Sequence, residues 1–209
     1  DCDWWLSGGG YGQSRLQRYA SRPLLSLATE RALSDTLFAE GISLRAGELW
    51  LLTWQSQRVL VFDLAKTTLL REHAYRGEGW GLAHDAEQDR FIMSNGSNTL
   101  SFRSARDFSL LGQLPVRQGT QPLRQLNELE YIKGELWANV WRSERIVRID
   151  LDNGCVTGVL DLSELWPRRK RPRRADVLNG IAHDHKTGLL WVTGKRWGRA
   201  FGLQLGPES

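Results

Sequence analysis

Hydrophobic residues come in short runs that polar turns interrupt along almost the whole chain. The runs are rich in leucine, valine, isoleucine and tryptophan, and glycine, aspartate and asparagine separate them. Residues 38–75 are typical, with predicted strands at 41–45, 49–54, 58–63 and 69–75. Apart from residues 161–166, no apolar stripe at helical spacing replaces this pattern. We therefore predict an all-β protein.

The predicted strands recur in units that begin with similar sequence motifs. These are EGISL from residue 40, WGLAHD from 80, NELEY from 127 and NGIAHD from 179, so the starts are 40, 47 and 52 residues apart. A period of about 40–50 residues with four short strands indicates a β-propeller. The first 30 residues align with a unit that lacks its inner strand, and the last unit ends after three strands. We predict a single five-bladed β-propeller domain of antiparallel four-stranded blades with an incomplete first blade, its units lying near residues 1–30, 38–75, 80–116, 126–162 and 178–205.

Two positions in each full unit carry unusual chemistry. The first strand of a propeller blade lines the central channel, and a hairpin places the start of that strand beside the end of the second. The paired positions, 14 to 16 residues apart, are Glu40 with Trp54, Trp80 with Asn95, Asn127 with Trp141, and Asn179 with Lys195. We expect all eight residues to lie at one mouth of the channel. Residues with only a packing role would not include so many polar side chains, so these positions are candidates for a functional site.

The overall composition is that of a soluble globular protein. Hydrophobic residues make up 41% of the 209 residues and charged residues 25%, and no apolar run is long enough to span a membrane.

The formal charge of +4 is unevenly distributed, because the segment 167–174 holds six basic residues and the rest of the chain sums to −2. We interpret this segment as a solvated loop, with contact to acidic peptides or a phosphate-rich surface as the alternative. No aromatic interleaving or recognition motif accompanies the charge, so a nucleic-acid function is not expected. Cys2 and Cys155 permit one disulfide without requiring it.

Several short sequence motifs resemble those of a known protein family in their order and spacing. They are YGQS at 11–14, FAEGI at 38–42, GWGLA at 79–83, LNELEY at 126–131, WANVW at 137–141, VLNGIA at 177–182 and VTGK at 192–195. From about residue 6 to 205 the chain resembles the plant and bacterial type of glutaminyl cyclase, which are five-bladed propeller glutaminyl-peptide cyclotransferases. The family's usual first inner strand has no counterpart here. The resemblance places the family's catalytic glutamate at Glu40, its asparagine at Asn127, its lysine at Lys195 and its pocket tryptophans at Trp54, Trp80 and Trp141. We assign catalytic roles to Glu40, Asn127, Lys195 and Trp80, and substrate-binding roles to Phe38, Trp54, Trp141 and Asn179. The assignments of Phe38 and Asn179 come from the residue pattern and not from the resemblance.

The resemblance implies a metal-independent acyltransferase that converts N-terminal glutamine into pyroglutamate and releases ammonia. Glu40 would carry the proton from the attacking α-amine to the leaving nitrogen, and the surrounding aromatic residues would raise its pKa. Lys195, Asn127 and the Trp80 indole N–H would donate to the oxyanion. The expected partners are peptides or proteins with N-terminal glutamine. We expect no cofactor, a monomer, and a secreted or periplasmic location, since the sequence begins at Asp1 and a targeting segment could precede it.

Two other functions fit parts of the pattern. One is a non-catalytic propeller that binds peptide amino termini in the aromatic mouth. The other is a lactonase-like propeller hydrolase, whose axial metal ring could draw on Glu40, Asn127 and Asn179, although Trp80 between them argues against it. The four histidines contain one close pair, His183 and His185, and complete no zinc set, so we predict no metal site.

Overall fold

The protein is built almost entirely from antiparallel β-sheets. The computed structural model describes residues 3–20 and 26–206. The first blade has three strands: β1 (Trp4–Gly8), β2 (Arg15–Ala20) and β3 (Ser26–Ala32). The second blade has four: β4 (Ala39–Arg45), β5 (Glu48–Thr53), β6 (Arg58–Asp63) and β7 (Leu69–Ala74). The third has four: β8 (Leu82–Asp85), β9 (Arg90–Met93), β10 (Thr99–Ser104) and β11 (Leu110–Pro115).

A small hairpin separates the third blade from the fourth. Its strands are β12 (Arg117–Gln118) and β13 (Gln121–Pro122). The fourth blade has four strands: β14 (Leu126–Ile132), β15 (Glu135–Val140), β16 (Arg145–Asp150) and β17 (Val156–Asp161). The fifth has three: β18 (Leu178–Asp184), β19 (Leu189–Gly194) and β20 (Phe201–Gln204). A 3-10 turn at Arg168–Lys170 lies between these two blades, and residues 161–166 form no helix.

The five blades follow one another around a central channel. β4 packs beside β8, β8 beside β14, and β14 beside β18, while β1 takes the place next to β4. The ring closes where the Trp4 ring meets the Trp191 ring edge-on, with centroids 5.1 Å apart. The prediction of a five-bladed propeller with an incomplete first blade is therefore confirmed.

The hydrophobic core lies between neighbouring blades, because each sheet turns one face toward the next. Trp50 of the second blade is fully buried against Phe91 of the third, with ring centroids 4.6 Å apart. The four core clusters together involve all five blades. Since this packing fixes the blades relative to one another, it also fixes the ends of the inner strands that meet at the channel mouth.

The inner strands begin with an irregular register. Pairing shifts between Ala39 and Ile42 in the second blade, between Leu126 and Leu129 in the fourth, and between Leu178 and Ile181 in the fifth. Such a β-bulge inserts a residue and re-aims the side chains beside it. In each of these blades the shift falls on the site residue that the sequence singles out.

Glycine follows the site residue where adjacent strands come closest. A Cβ on Gly81 would stand 2.0 Å from the carbonyl oxygen of Asn127, and the Gly41 N–H donates to the Trp80 carbonyl at 2.7 Å. A larger residue at these two positions would push the inner strands apart. The fourth blade has Glu128 at the equivalent position.

Two further expectations concern chemistry away from the channel. Cys2 lies outside the described residues, and Cys155 accepts a hydrogen bond from Arg117 at 3.1 Å. In the described part of the chain no helix combines the length and the apolar character needed to span a membrane.

Candidate functional site

The predicted site residues stand at the strand ends that meet at one mouth of the channel. Glu40, Asn127 and Asn179 lie at the starts of β4, β14 and β18, and Trp80 lies two residues before β8. Phe38 directly precedes β4, while Trp54, Trp141 and Lys195 directly follow β5, β15 and β19. The hairpin geometry therefore places these residues on the same face of the propeller.

Aromatic side chains form two contacting pairs in this mouth. The rings of Phe38 and Trp54 meet edge-on with centroids 5.5 Å apart, and those of Trp80 and Trp141 do the same at 5.4 Å. Tyr11 extends the first pair, with its centroid 5.4 Å from that of Phe38. All four predicted aromatic residues are half-buried, so they present ring surface to the opening as well as to the protein.

Glu78 joins the two aromatic pairs. One of its carboxylate oxygens accepts the Trp54 indole N–H at 2.8 Å and the Trp80 indole N–H at 3.0 Å, and the other accepts the Gln55 amide at 3.2 Å. Burial opposes the ionisation of Glu78, but these hydrogen bonds outweigh it and lower its pKa. Glu78 therefore carries a negative charge at neutral pH and fixes the orientation of both indoles.

This arrangement changes the part expected of Trp80. From the sequence we predicted that its indole N–H would donate to an oxyanion, and in the structure that N–H donates to Glu78. The ring of Trp80 lies over Gly96, where an added Cβ would come within 2.5 Å of it. Trp80 is thus held as a wall of the mouth.

Glu40 is half-buried and has an unusual acidity. Burial raises the pKa of its carboxyl to about 7, the negative charge of Glu78 acts in the same direction, and the positive charge of Lys195 partly offsets both. Within the described residues its carboxylate has no hydrogen-bond partner, although its backbone carbonyl accepts the Ser7 hydroxyl at 2.6 Å. A carboxyl with a pKa near 7 can both take and give a proton at neutral pH.

Two asparagines offer polar atoms that the protein does not use. Asn127 is 3% exposed, and its Oδ1 has no hydrogen-bond partner among the described residues. Oδ1 of Asn179 is likewise buried and unpartnered. Because a buried polar group without a partner costs about 1–3 kcal/mol, such atoms indicate a place where a ligand completes the hydrogen bonding. Asn95 differs, since its Oδ1 accepts both the N–H and the hydroxyl of Ser97 in a local turn.

The channel below the mouth contains two more carboxyls. Burial, together with Glu40 and Glu130 nearby, holds the pKa of Glu128 well above its ordinary value, although Lys195 opposes this. Burial also raises the pKa of Glu130 to about 7, and its Oε1 accepts the His183 N–H of the adjacent inner strand at 2.9 Å. A protonated Glu128 adds no charge beside Glu40. Among the described residues, Lys195 is the cation whose positive charge lowers the pKa of both Glu40 and Glu128.

Sequence reasoning missed Glu78, Glu128 and Glu130. Glu78 had a weak signal, since a carboxylate stands between two glycines just before Trp80. Glu128 and Glu130 alternate along the inner strand of the fourth blade, where the equivalent positions of the second are Gly41 and Ser43. Two carboxyls at that spacing on a channel-lining strand were a usable sign of an acidic channel.

The described residues contain no cluster of three or more histidine, cysteine, aspartate or glutamate side chains arranged to hold a metal ion. His183 and His185 lie together, with their Nδ1 atoms 3.2 Å apart. They occur at the far end of β18, on the opposite face from Glu40.

Comparisons with known proteins agree with this geometry. The family model described as glutamine cyclotransferase matches residues 1–205. The chain is 33% identical over 206 residues to the glutaminyl-peptide cyclotransferase of Arabidopsis thaliana, covering 97% of this chain and 63% of that protein, so it spans less than two thirds of that relative's length.

Solved structures give the same result. The crystal structure of Myxococcus xanthus glutaminyl cyclase superposes with a TM-score of 0.83 at 30% identity, over 95% of this chain and 84% of that one. A Bacteroides caccae protein, at 14% identity and a TM-score of 0.56 over 94% of this chain and 72% of that one, shares the fold alone. With its propeller, its acidic and aromatic channel mouth and a family match over residues 1–205, this chain belongs to the glutamine cyclotransferase family.

Proposed function

We propose that the protein is a glutaminyl-peptide cyclotransferase acting on peptides or proteins with N-terminal glutamine. The observation that carries the proposal is the position of Glu40: a half-buried carboxyl with a pKa of about 7, at a channel mouth lined by tryptophans and close to Lys195. The family match and the names of the relatives from Arabidopsis thaliana and Myxococcus xanthus support it.

The proposed reaction joins two ends of the same residue. The α-amine of the N-terminal glutamine attacks its side-chain amide carbon, a C–N bond forms, and the bond from that carbon to the amide nitrogen breaks. The α-ammonium has a pKa of about 7.7–8 and must lose a proton before it attacks. This first proton goes to solvent. The neutral amine loses a second proton as its bond to the amide carbon forms, and ionised Glu40 accepts that proton and returns it to the departing nitrogen, which leaves as ammonia. Atoms and charges balance without any other reactant.

The remaining groups would bind and orient the substrate. Aromatic rings at the mouth exclude water and hold the glutamine in the folded shape that ring closure needs. Oδ1 of Asn127 and Oδ1 of Asn179 lack partners and can accept N–H groups of the substrate amine or amide. Lys195 can stabilise the oxyanion, and a single well-placed donor of this kind contributes roughly 2.7–4 kcal/mol to transition-state binding.

An ammonia-release assay tests the proposal directly. A glutamine-led dipeptide should yield one ammonia and one pyroglutamyl product, whereas the same dipeptide with a blocked amino terminus should yield neither. Binding of the dipeptide without ammonia release would instead support the propeller that only binds amino termini. A monomer that acts outside the cytoplasm stays a prediction from the sequence.

A further inference from the structure

The basic segment 167–174 is anchored by one of its own arginines. The Arg171 side chain is only 4% exposed, and its guanidinium makes two hydrogen bonds to the Glu144 carboxylate, at 3.0 and 2.7 Å. Its Nε donates to the Trp166 carbonyl at 2.6 Å, and it lies 4.5 Å from the Trp197 ring centroid. Arg168 shares Glu144 at 3.1 Å. These contacts hold the loop against the protein, whereas its composition alone predicted a solvated loop.

The other four cations of the segment take no part in these contacts. They are exposed and have no ion-pair partner within residues 3–20 and 26–206, and they are Arg169, Lys170, Arg173 and Arg174. We call these four residues the basic rim. Because the anchored loop holds them in place, their charges act together from a constant position. The chain outside segment 167–174 sums to −2, so this segment accounts for the net positive charge of the protein.

The basic rim lies on the face that bears the channel mouth. In a four-stranded blade the outer strand runs back toward the end where the inner strand began, so the connection from β17 to β18 crosses the mouth side. Two contacts confirm this position. Glu144, which holds the loop, comes three residues after Trp141, and the Asp176 N–H donates to the Lys195 carbonyl at 2.9 Å.

Further features connect the rim with the aromatic mouth. Exposed Arg142 stacks over Trp141, with its guanidinium carbon 4.3 Å from the ring centroid. A cavity of about 280 Å³ lies along the loop, and its lining residues are Arg168, Arg171, Pro172, Arg173, Ala175, Asp176 and Val177. A chain leaving the mouth past Trp141 would meet Arg142 first and this cationic depression next.

We propose that the basic rim is a subsite for acidic residues downstream of the N-terminal glutamine, so that peptides with aspartate or glutamate after the first few residues are the preferred substrates. The inference rests on the proposed function, since it assumes that the peptide's amino terminus occupies the mouth. An extended peptide advances roughly 3.3 Å per residue, so a few residues carry it from the mouth across the loop.

The same cations could in principle meet a phosphate-rich surface, but their position favours a peptide. The loop that carries them is bound on one side by Glu144, three residues after Trp141. On the other side Asp176 donates its N–H to the Lys195 carbonyl, so the loop adjoins the mouth. A bound peptide would place its first residue and its acidic residues on two features that the protein holds at a fixed separation.

The first test compares glutamine-led peptides that differ only in an acidic, neutral or basic pair, moved along the chain from position 2 to position 6. For the unchanged protein at low salt we expect kcat/KM to be about tenfold higher for the best acidic peptide than for the neutral one, within the range of electrostatic steering. The preference should fade toward 1 M salt, where the Debye length is about 3 Å. Equal kcat/KM for the three peptide series would overturn the proposal.

The second test removes the rim by changing Arg169, Lys170, Arg173 and Arg174 to Gln. The acidic preference should disappear, while kcat/KM for neutral peptides stays the same. A matched variant changes four exposed cations on the opposite face to Gln: Lys66, Arg106, Lys133 and Lys186. It has the same net charge and should keep the preference. Equal loss in both variants would mean that overall charge, and not the loop, sets the preference, and the proposal would be wrong.

Equilibrium binding separates this inference from the proposed reaction. Labelled acidic peptides should bind Glu40→Gln more tightly than basic ones, and the difference should vanish when the rim is also removed. If the unchanged protein releases no ammonia but shows the same binding preference, the proposed reaction is wrong and the proposed subsite for acidic residues is supported. If the rim variant instead loses only its binding to phosphatidylglycerol vesicles, the loop is a membrane-binding patch and the subsite is wrong.

Discussion

Two glutamates of the second blade, one at each face of the propeller, have opposite surroundings. On the face away from the mouth, Glu48 accepts two hydrogen bonds from Arg71 at 2.7 and 2.8 Å, and Asp89 accepts two from Arg45 at 2.6 and 2.7 Å. These bonds lower the pKa of both carboxyls. At the mouth, the Glu40 carboxylate has no hydrogen-bond partner among the described residues, and its pKa is raised to about 7.

The difference separates stability from function within a single blade. Glu40 and Glu48 stand at opposite ends of the β4–β5 hairpin, and both are glutamates in the same sheet. Paired ions on the far face help hold the strands in register. The unpaired groups at the mouth cost free energy in the empty protein, and a substrate that supplies the missing partners can recover it. In this hairpin, a structural ion pair and the carboxyl proposed to react therefore lie at opposite ends of the same strands.

The largest expected effect comes from substituting these two glutamates in parallel. Glu40→Gln removes the proton carrier, so kcat should fall by about 10²–10⁴-fold, while the melting temperature at pH 8 stays equal or rises slightly. Glu48→Gln should leave kcat unchanged and lower the stability by about 1 kcal/mol, because hydrogen bonds to Arg71 are weakened. Ammonia release and thermal unfolding are measured on both variants. Near-normal turnover in Glu40→Gln would contradict the proposed role of Glu40.

Removal of the mouth's cation should have the next largest effect. Lys195→Met should lower kcat/KM by about 10²-fold through the lost oxyanion contact. It should also move the rising limb of the pH profile upward, because the Lys195 charge lowers the pKa of Glu40. Lys195→Arg keeps the charge and should restore the position of the limb. An unchanged limb in Lys195→Met would mean that the two groups do not interact.

A change at Glu78 should shift the same profile in the other direction. The negative charge of Glu78 raises the pKa of Glu40, so Glu78→Gln should move the rising limb to lower pH. Because Glu78 also orients the Trp54 and Trp80 indoles, KM should increase severalfold. Gln55→Ala removes a neighbouring hydrogen bond to Glu78 without changing the charge, and should leave the limb in place. Both variants are read from kcat/KM between pH 5 and 9 with one substrate.

The smallest expected effect concerns the channel carboxyl Glu130. Its pKa is about 7 in the folded protein and lower in the unfolded chain, so its contribution to stability is complete below about pH 4.5 and is lost as the pH rises through 7. Glu130→Gln should therefore unfold at a similar temperature at pH 4.5 but a few degrees higher than the unchanged protein at pH 8. Thermal melts at both pH values test this, and a lower melting temperature at pH 8 would contradict it.

Much of the fold follows from local sequence pattern. Short apolar runs such as residues 48–53 and 58–63, with polar turns between them, predict the strands of a sheet. Hairpin spacing then fixes which residues share an end, which is why Glu40 and Trp54 were correctly expected at neighbouring strand ends. Ring closure was beyond such reasoning, because the contact of Trp4 with Trp191 joins the two ends of the chain.

The site was less accessible to sequence reasoning. The bulges at Glu40, Asn127 and Asn179 depend on register between strands, which one strand's sequence does not specify. Glu78 lies in a connection between blades, and its contact with Trp54 spans 24 residues. Its role as the acceptor for two indoles emerges only once neighbouring blades are packed, which is why the hydrogen bond from Trp80 to Glu78 was not expected from the sequence.

The glycines beside the site residues have a consequence for how such a protein can change. Gly41 and Gly81 let adjacent inner strands nearly touch, because an added Cβ at either position would meet the backbone of the next strand. The residues just before them, Glu40 and Trp80, differ completely in chemistry. In these two blades the glycine sets the spacing of the strands, and the side chain before it sets the chemistry of the mouth. Half-buried Glu40 is therefore a safer position for exploring new reactions than Gly41 or Gly81, which leave almost no room for variation.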